Sequence, residues 1–293
     1  MTNKEFGLNT ICTHIGGIED EQFKGAISPI YVTTSYQYDD VEVSRYPRYF
    51  NSPNQEFLSQ KLAALEKTEA ALIFGSGMAA ISTTLLSFLR SGDHVVIQND
   101  IYGGTRHLIE SQFENYKIKY TFTKGLELSD FEKAIEENTK AIYIESPSNP
   151  LLKLVDIRAI SDLCEKHNLV SVMDNTFASP VVQNPITLGI DIVIHSATKY
   201  LGGHSDISAG IVASTQKNIN KVHHLAKSLG GHLSDYTVWL LERSIKTLGL
   251  RVKAQQKNAK KLAKFLDNHV AVSKVNYPGL KNHPLLELAQ SQM

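Results

Sequence analysis

Cysteine is scarce in this sequence of 293 residues, which contains only Cys12 and Cys164. Their spacing fits neither a disulfide framework nor a zinc or redox motif, so we expect two buried thiols in a reducing compartment. Long apolar stretches are missing as well: no run of about 18 apolar residues occurs, and the N-terminus has no apolar segment of the signal-peptide type. These absences predict a cytoplasmic protein without a membrane span.

A surplus of charge of either sign is also missing. Lys and Arg together number 30, and so do Asp and Glu, so the chain has no net field that would attract nucleic acid or a membrane surface. The histidines show no metal-binding spacing, and no G-x-S-x-G elbow of a serine hydrolase occurs. We therefore expect no metal, no nucleic acid and no membrane partner.

What is present is the alternation of an α/β fold. Between about residues 57 and 215, short apolar runs such as Val95–Gln98 and Ala141–Glu145 are separated by helical patterns. The runs are continuous rather than alternating, which is typical of strands covered on both faces of a largely parallel sheet. Ligands of such sheets bind at the carboxyl ends of the strands.

Three segments follow from these patterns. Residues 1–56 are irregular and rich in tyrosine and phenylalanine, which predicts an arm that packs against a partner subunit. Residues 57–248 form the α/β domain. Residues 249–293 complete a long amphipathic helix with a kink at Gly249 and begin a further domain, with a strand expected over Val272–Tyr277.

Lys199 is the residue around which the chemistry is organised. It follows the apolar run Ile190–Ile194, and Ser196 and Thr198 precede it at alternate positions. Burying a lysine charge at a strand end is costly unless the amine is paired or neutralised. Two hydroxyls beside such an amine suit the phosphate and the Schiff-base lysine of pyridoxal phosphate. For this motif alone, a surface lysine on a loop is the commoner alternative.

A glycine-rich turn, Gly75–Ala80, follows a strand and opens a helix. Backbone N–H groups at a helix start bind phosphate. The pattern also matches the dinucleotide fingerprint, with Asp100 in the place of a ribose ligand. The motif alone leaves three interpretations open: a nucleotide, another phosphate, or packing.

Three further polar residues follow predicted strands. Asp174 ends an apolar run, where a carboxylate needs a cation such as a protonated pyridine nitrogen; its alternative is a helix cap or an Asx-turn. Tyr102 precedes Gly103 and Gly104, so its ring could stack on a flat cofactor. Asn149 could bind a cofactor oxygen or the substrate. Tyr102 and Asn149 each also fit a plain turn.

Together these stretches resemble the Cys/Met-metabolism family of pyridoxal-phosphate enzymes. The resemblance rests on five motifs, in this order along the chain: F-G-S-G-M-A-A, D-I-Y-G-G-T, E-S-P-S-N-P, V-M-D-N-T-F and S-A-T-K-Y-L-G-G-H-S-D. It implies the fold-type I transferase fold, similar to aspartate aminotransferase, with a mainly parallel seven-stranded sheet covered by helices. It also implies a homodimer or homotetramer with shared active sites and pyridoxal 5'-phosphate as cofactor.

The resemblance assigns a role to each motif. Lys199 would be the Schiff-base lysine and proton shuttle, and Tyr102 would stack on the ring and assist catalysis. Asp174 would pair with the pyridine nitrogen. The remaining implied cofactor contacts are Gly77, Met78, Thr176, Ser196 and Thr198, with Tyr46 and Arg48 reaching the phosphate of a neighbouring subunit. Asn149 and Tyr46 would also bind the substrate.

The implied activity is that of a carbon-sulfur lyase acting on cystathionine or a related sulfur amino acid by β- or γ-elimination. A γ-replacement enzyme (cystathionine γ-synthase or a sulfhydrylase), an inactive cofactor-binding fragment and an NAD-dependent oxidoreductase are the alternatives. Family members continue into a C-terminal domain that binds the substrate carboxylate, so we expect this chain to lack most of it. Gly103 argues against a methionine γ-lyase, and Arg45 indicates a difference at the distal end of the substrate.

Overall fold

The computed structural model describes residues 6–293. Within them, seven strands form one sheet in the order β1-β7-β6-β5-β4-β2-β3. The strands are β1 (Ala70–Phe74), β2 (His94–Ile97), β3 (Lys119–Phe122), β4 (Thr139–Glu145), β5 (Val170–Asp174), β6 (Ile192–Ser196) and β7 (Gly210–Ser214). The pairs β2–β3, β2–β4 and β4–β5 are parallel, whereas β1 and β7 are antiparallel. The predicted mainly parallel α/β sheet is confirmed.

Helices separate most of the strands along the chain. They are α1 (Leu8–His14), α2 (Pro53–Glu66), α3 (Gly77–Phe88), α4 (Gly103–Gln112), α5 (Leu128–Glu132), α6 (Ile157–His167), α7 (Ser179–Val182), α8 (Gln216–Leu229), α9 (Asp235–Ile245), α10 (Leu248–Asp267) and α11 (Leu286–Gln292). Two short 3-10 helices cover Pro47–Tyr49 and Pro185–Leu188. No helix in this described part of the chain has the length and apolar character needed to cross a membrane.

The chain divides into two compact units. The first combines the chain up to Ser87 with Ile194–Gly249, and the second combines Phe88–Val193 with Leu250–Met293. In the first unit, α2 begins with a capping box, in which Ser52 accepts from the backbone of Gln55 and the Gln55 side chain accepts from the backbone of Ser52. Both groups satisfy N–H donors that a helix start leaves free, so local residues determine where α2 begins.

The core of the second unit lies between its parallel strands and α6. Ile142 and Ile144 of β4 pack with Ile157 and Ile160 of α6 and with Met173 of β5, all essentially inaccessible to solvent. Asp156 caps α6 by accepting from the backbone of Ala159. The continuous apolar strands and the apolar stripe of α6 therefore bury each other, and the polar strand ends remain for the site.

Three local predictions were wrong. The stretch 235–269 is two helices, because α9 ends at Ile245 and α10 starts at Leu248, before Gly249. Gly249 instead permits a close approach of α1, since a Cβ there would lie 2.4 Å from Asn9 Oδ1. Residues 272–277 form no strand. The irregular arm contains α1, whose Cys12 is buried like Cys164.

His94 makes the stability of the second unit depend on pH. Its ring is buried and contacts Thr139 Oγ1 at 2.8 Å and Thr121 Oγ1 at 3.0 Å. Burial lowers the pKa of His94, although Glu136 partly opposes this and Lys119 adds to it. The unfolded chain then binds a proton more readily, so the stability from neutral His94 is complete above the unfolded pKa of about 6.5 and declines as pH falls below it.

We therefore expect the thermal midpoint to fall from pH 7.5 to pH 5.5, and to fall less in His94→Gln, which has no titrating ring. Parallel melting curves of both proteins at the two pH values measure this difference. An equal fall in both proteins would show that other groups cause the acid sensitivity.

Candidate active site

Lys199 lies just beyond β6, in the first unit. Its backbone N–H donates to Ser196 O at 3.1 Å, and its carbonyl accepts from the Gly203 N–H at 2.7 Å. The preceding Thr198 hydroxyl accepts from the N–H of Ala209 at 3.0 Å and donates to the carbonyl of Ala209 at 3.2 Å. The backbone around the lysine is therefore held firmly, while the Lys199 side chain itself is exposed.

The start of α3 forms a cradle beside the end of β6. A Cβ at Gly77 would lie 2.7 Å from Ser196 Cβ, so only glycine lets the two backbones approach this closely. Ser76 Oγ accepts from the N–H of Ala79 at 3.0 Å and caps the helix. The N–H groups of Gly77 and Met78 belong to the first turn of α3, whose positive dipole end favours a phosphate.

A second glycine, Gly210 at the start of β7, completes this cradle. A Cβ at Gly210 would lie 2.0 Å from the carbonyl oxygen of Ser76 and 3.0 Å from Ala80 Cβ. Ser208 Oγ donates to the carbonyl of Gly75 at 3.0 Å. The start of the glycine-rich turn is thus in contact with Gly210 of β7 and bonded by the side chain of Ser208 just before that strand, which holds the turn in place.

A buried pair supports β6 directly before Ser196. His195 Nε2 lies 2.5 Å from Glu66 Oε1 at the end of α2, and the two side chains are 2% and 3% exposed. Neither was singled out from the sequence, although a histidine within an apolar run signals the need for a buried partner. The pair joins the strand that leads to Lys199 to a helix of the same unit.

We expect Glu66→Leu to reduce the free energy of unfolding by about 3–5 kcal/mol, because it leaves His195 buried without this partner. The double variant Glu66→Leu with His195→Phe should recover much of the loss, since apolar pairs of similar size replace buried polar pairs at little cost. Urea unfolding of the three proteins makes the comparison. A single variant as stable as the unaltered protein would contradict this role for the pair.

The second unit carries Asp174 at the end of β5. The side chain is 5% exposed, and its Oδ1 accepts from the Thr176 backbone at 2.9 Å and from the Thr176 hydroxyl at 2.5 Å. Oδ2 lies 3.5 Å from the hydroxyl of Tyr143. Asp174 thus forms the Asx-turn that was its alternative interpretation, and this turn fixes the carboxylate at the strand end.

Tyr102 precedes α4 with its ring 42% exposed. A Cβ at Gly104 would lie 2.5 Å from Tyr102 Cε1, so the ring lies over this glycine, and its stacking on a cofactor stays a prediction. Asn149 is also exposed. Both residues donate their backbone N–H to the same side chain, Glu145, at 2.7 Å and 2.8 Å.

Glu145 was missed by the sequence analysis, although it ends an apolar run just as Asp174 does. It is 3% exposed, and it lies directly opposite Asp174 in the register of β4 and β5. Burial, together with the charge of Asp174, raises the pKa of Glu145 to about 8, against the effect of the N–H donors of Tyr102 and Asn149.

Tyr46 and Arg48 make contacts within the first unit. The Tyr46 N–H donates to Asn51 Oδ1 at 2.9 Å, and Arg48 Nη1 donates to the carbonyl of Lys227 at 2.5 Å. The Arg48 guanidinium lies 5.5 Å from the ring centroid of Tyr46 and 5.1 Å from that of Tyr49. Their role toward the phosphate of a neighbouring subunit stays a prediction.

Each of the two sets of groups, taken by itself, suits one part of a phosphorylated pyridine aldehyde. The first unit has an exposed amine next to a glycine cradle and a helix start, which suits an aldehyde and its phosphate. The second unit has a buried carboxylate, which suits a protonated ring nitrogen, and an exposed aromatic ring. Among residues 6–293, no group of three or more His, Cys, Asp or Glu side chains is arranged to hold a metal ion.

A mainly parallel sheet with a lysine after one strand end and a carboxylate at another is what the resemblance to pyridoxal-phosphate enzymes of fold type I implied. Residues 9–293 match the family described as Cys/Met metabolism PLP-dependent enzyme. The chain belongs to this family, and its cofactor is pyridoxal 5'-phosphate. The dinucleotide interpretation of Gly75–Ala80 is thereby set aside.

Relatives with an assigned activity agree with this membership. The chain is 45% identical over 291 residues to a cystathionine gamma-lyase of Bacillus subtilis (strain 168), covering 97% of this chain and 75% of the relative. It is 44% identical over 282 residues to a cystathionine beta-lyase of Lactococcus lactis subsp. cremoris (strain MG1363), covering 95% and 74%.

A solved structure extends the agreement to the fold. The cystathionine gamma-lyase from Lactobacillus plantarum, complexed with L-serine, superposes with a TM-score of 0.93 at 39% identity, covering 98% of this chain and 76% of that one. The fold-type I prediction is confirmed by this similarity.

Proposed function

We propose that this protein is a carbon-sulfur lyase that acts on cystathionine or a related sulfur amino acid by β- or γ-elimination. The observation that carries the proposal is the similarity, at 45% and 44% identity, to a cystathionine gamma-lyase and a cystathionine beta-lyase. The donor groups described above support it, because this elimination requires an amine, a phosphate cradle and a buried carboxylate.

We assign the site residues as the family resemblance implies. Lys199 binds the cofactor covalently, and Ser196, Thr198 and the start of α3 at Gly77 and Met78 hold its phosphate. The other proposed contacts are Asp174 and Thr176 at the ring nitrogen, Tyr102 on the ring, Asn149 at a cofactor oxygen and the substrate, and Tyr46 and Arg48 from a neighbouring subunit.

Pyridoxal phosphate supplies a carbonyl carbon that combines with amines and a ring that takes up the electrons released at the α-carbon. Lys199 Nζ would hold the cofactor at that carbonyl carbon and, once its amine is free, would take the α-proton of the substrate. Asp174 keeps a negative charge beside the ring nitrogen and thereby holds a proton on that nitrogen. Tyr102 fixes the plane of the ring. Lys199 Nζ would then return a proton, the sulfur substituent would leave as a thiol, and hydrolysis of the remaining product would give a keto acid and ammonia.

Three proposals concern the wider organisation. We assign residues 1–56 to an intersubunit arm, 57–248 to the cofactor domain and 249–293 to the beginning of a further domain. The arm exposes Phe23, Val32 and Tyr38, which supports a homodimer or homotetramer with shared sites. We propose a cytoplasmic location, which is consistent with two buried cysteines that form no disulfide with each other.

The products from cystathionine test the proposed function. Elimination at the β-carbon releases pyruvate and homocysteine, whereas elimination at the γ-carbon releases 2-oxobutyrate and cysteine, each with ammonia. The purified chain is incubated with pyridoxal phosphate and cystathionine, and the keto acids are identified by mass spectrometry. Formation of cystathionine from cysteine and an O-acyl-homoserine, without keto acid, would indicate a γ-replacement enzyme. Bound cofactor with neither reaction would indicate an inactive binding protein.

A further inference from the structure

Glu145 connects two of the proposed site residues through their backbones. Its Oε2 accepts from the N–H of Tyr102 at 2.7 Å, and its Oε1 accepts from the N–H of Asn149 at 2.8 Å. These residues belong to different loops, one after β2 and one after β4. A single carboxyl group therefore determines where both loops begin.

Two hydrogen bonds to the Gln98 side chain fix the backbone of Glu145. The backbone N–H of Glu145 donates to Gln98 Oε1 at 3.0 Å, and its carbonyl accepts from Gln98 Nε2 at 2.9 Å. Gln98 is fully buried, so the amide extends the pairing of β2 and β4 by one position. The carboxyl group is therefore positioned within the sheet rather than on a mobile loop.

This arrangement is costly, which argues against a merely structural role. The acidic groups that act on Glu145 are Asp174 on β5 and Asp100 after β2, and both oppose its ionisation, as does burial. Lys153 lies 3.8 Å from Asp100 rather than at Glu145, and within residues 6–293 Glu145 forms no salt bridge of its own. An apolar side chain would end the strand without this penalty.

A carboxyl group is nevertheless the side-chain group that can accept hydrogen bonds from both Tyr102 and Asn149. It offers two oxygens, and even the hydroxyl oxygen of the neutral acid can accept from an N–H group, whereas an amide offers one acceptor oxygen and points an NH2 group, which cannot accept, at the other donor. We propose that Glu145 is a positioning residue, which holds Tyr102 and Asn149 in place for the cofactor and substrate; this role depends on the proposed function.

The test compares Glu145→Gln with a matched variant, Asp191→Asn. Asp191 Oδ2 also accepts from two donors, the N–H and the hydroxyl of Ser171, each at 2.8 Å, and Ser171 lies near the start of β5. Hydrogen exchange is measured by mass spectrometry on the purified chain without added cofactor. In Glu145→Gln we expect exchange at least about 10-fold faster in the peptides that contain Tyr102 and Asn149. In Asp191→Asn we expect faster exchange only near Ser171.

Cofactor binding supplies the second measurement. We expect Glu145→Gln to weaken the affinity for pyridoxal phosphate about 10-fold, and Asp191→Asn to change it less than twofold. Unchanged exchange at both peptides would overturn the proposal, and so would faster exchange with unchanged affinity and turnover. If the unaltered chain binds no pyridoxal phosphate, the proposed function fails, and the positioning role for the cofactor fails with it. In that case the exchange data show whether Glu145 remains an anchor of the two loops.

Glu145→Asp covers the case in which Glu145→Gln does not fold. Its side chain is one methylene shorter and cannot reach both N–H groups from the same strand position. We expect faster exchange in at least one of the two peptides and the same direction of change in affinity. Values equal to those of the unaltered chain would again overturn the proposal.

Discussion

Lys199→Ala is expected to lower the rate of keto acid release from cystathionine at least about 10³-fold. The variant loses both the amine that binds the cofactor covalently and the group that moves the α-proton, and general base catalysis alone contributes about 10²–10⁴-fold. The loop around residue 199 should remain folded, because its bonds are made by the backbone and by Thr198. Lys257→Ala on α10, an exposed lysine of the second unit, is the control and should keep full activity.

The covalent assignment has its own measurement. Each protein is mixed with pyridoxal phosphate, reduced with borohydride, digested and mapped by mass spectrometry. We expect the label on the peptide that contains Lys199 in the unaltered protein and in Lys257→Ala, and none there in Lys199→Ala. Label on another lysine, or a Lys199→Ala variant that keeps more than a tenth of the activity, would refute the assignment.

Asp174→Asn is expected to reduce turnover about 100-fold while leaving the fold intact. A carboxylate within about 4–6 Å of a cation shifts the pKa of that cation by about 1–3 units, so an amide would leave the ring nitrogen largely unprotonated near neutral pH. The amide oxygen of the introduced asparagine can still accept from the Thr176 backbone, which now donates to Asp174 Oδ1 at 2.9 Å.

The readout for Asp174→Asn is the pH dependence of turnover together with the melting temperature. Loss of the carboxylate should move the optimum to lower pH, because the ring nitrogen then needs a higher proton concentration to remain protonated. Asp191→Asn is the matched control, since it also removes a carboxylate of the second unit that accepts two hydrogen bonds. Turnover within threefold of the unaltered protein would contradict the proposed pairing.

The sequence predicted the architecture because burial leaves a direct trace in it. Strands covered on both faces must be largely apolar, as residues 141–144 of β4 and 192–194 of β6 are, and most polar residues then stand near the strand ends. Lys199 and Asp174 were found in this way. Strand direction leaves no such trace, and the antiparallel pairing of β1 with β7 became known only from the structure.

What escaped prediction depends on contacts between distant residues. Glu145 stands at a strand end as Asp174 does, but its partner Tyr102 is 43 positions away, and nothing local reveals that separation. His195 and Glu66 are 129 positions apart. The predicted kink at Gly249 was wrong for a different reason: the helix ends at Ile245 and a new one starts at Leu248, and the glycine allows the close approach of Asn9. Residues 272–277 lacked the pairing partner that a strand needs.

Two hydrogen bonds between the Thr198 hydroxyl and the backbone of Ala209 close the base of the loop that joins β6 to β7. They span 11 positions and close the chain between β6 and β7 immediately behind the lysine. Ser205, near the tip, adopts a left-handed conformation, and the neighbouring residues 203–206 are exposed. Insertions at residues 204–206 would lengthen a closed loop without displacing residues 198 and 199. Evolution can therefore alter this part of the loop while the amine of Lys199 keeps its position.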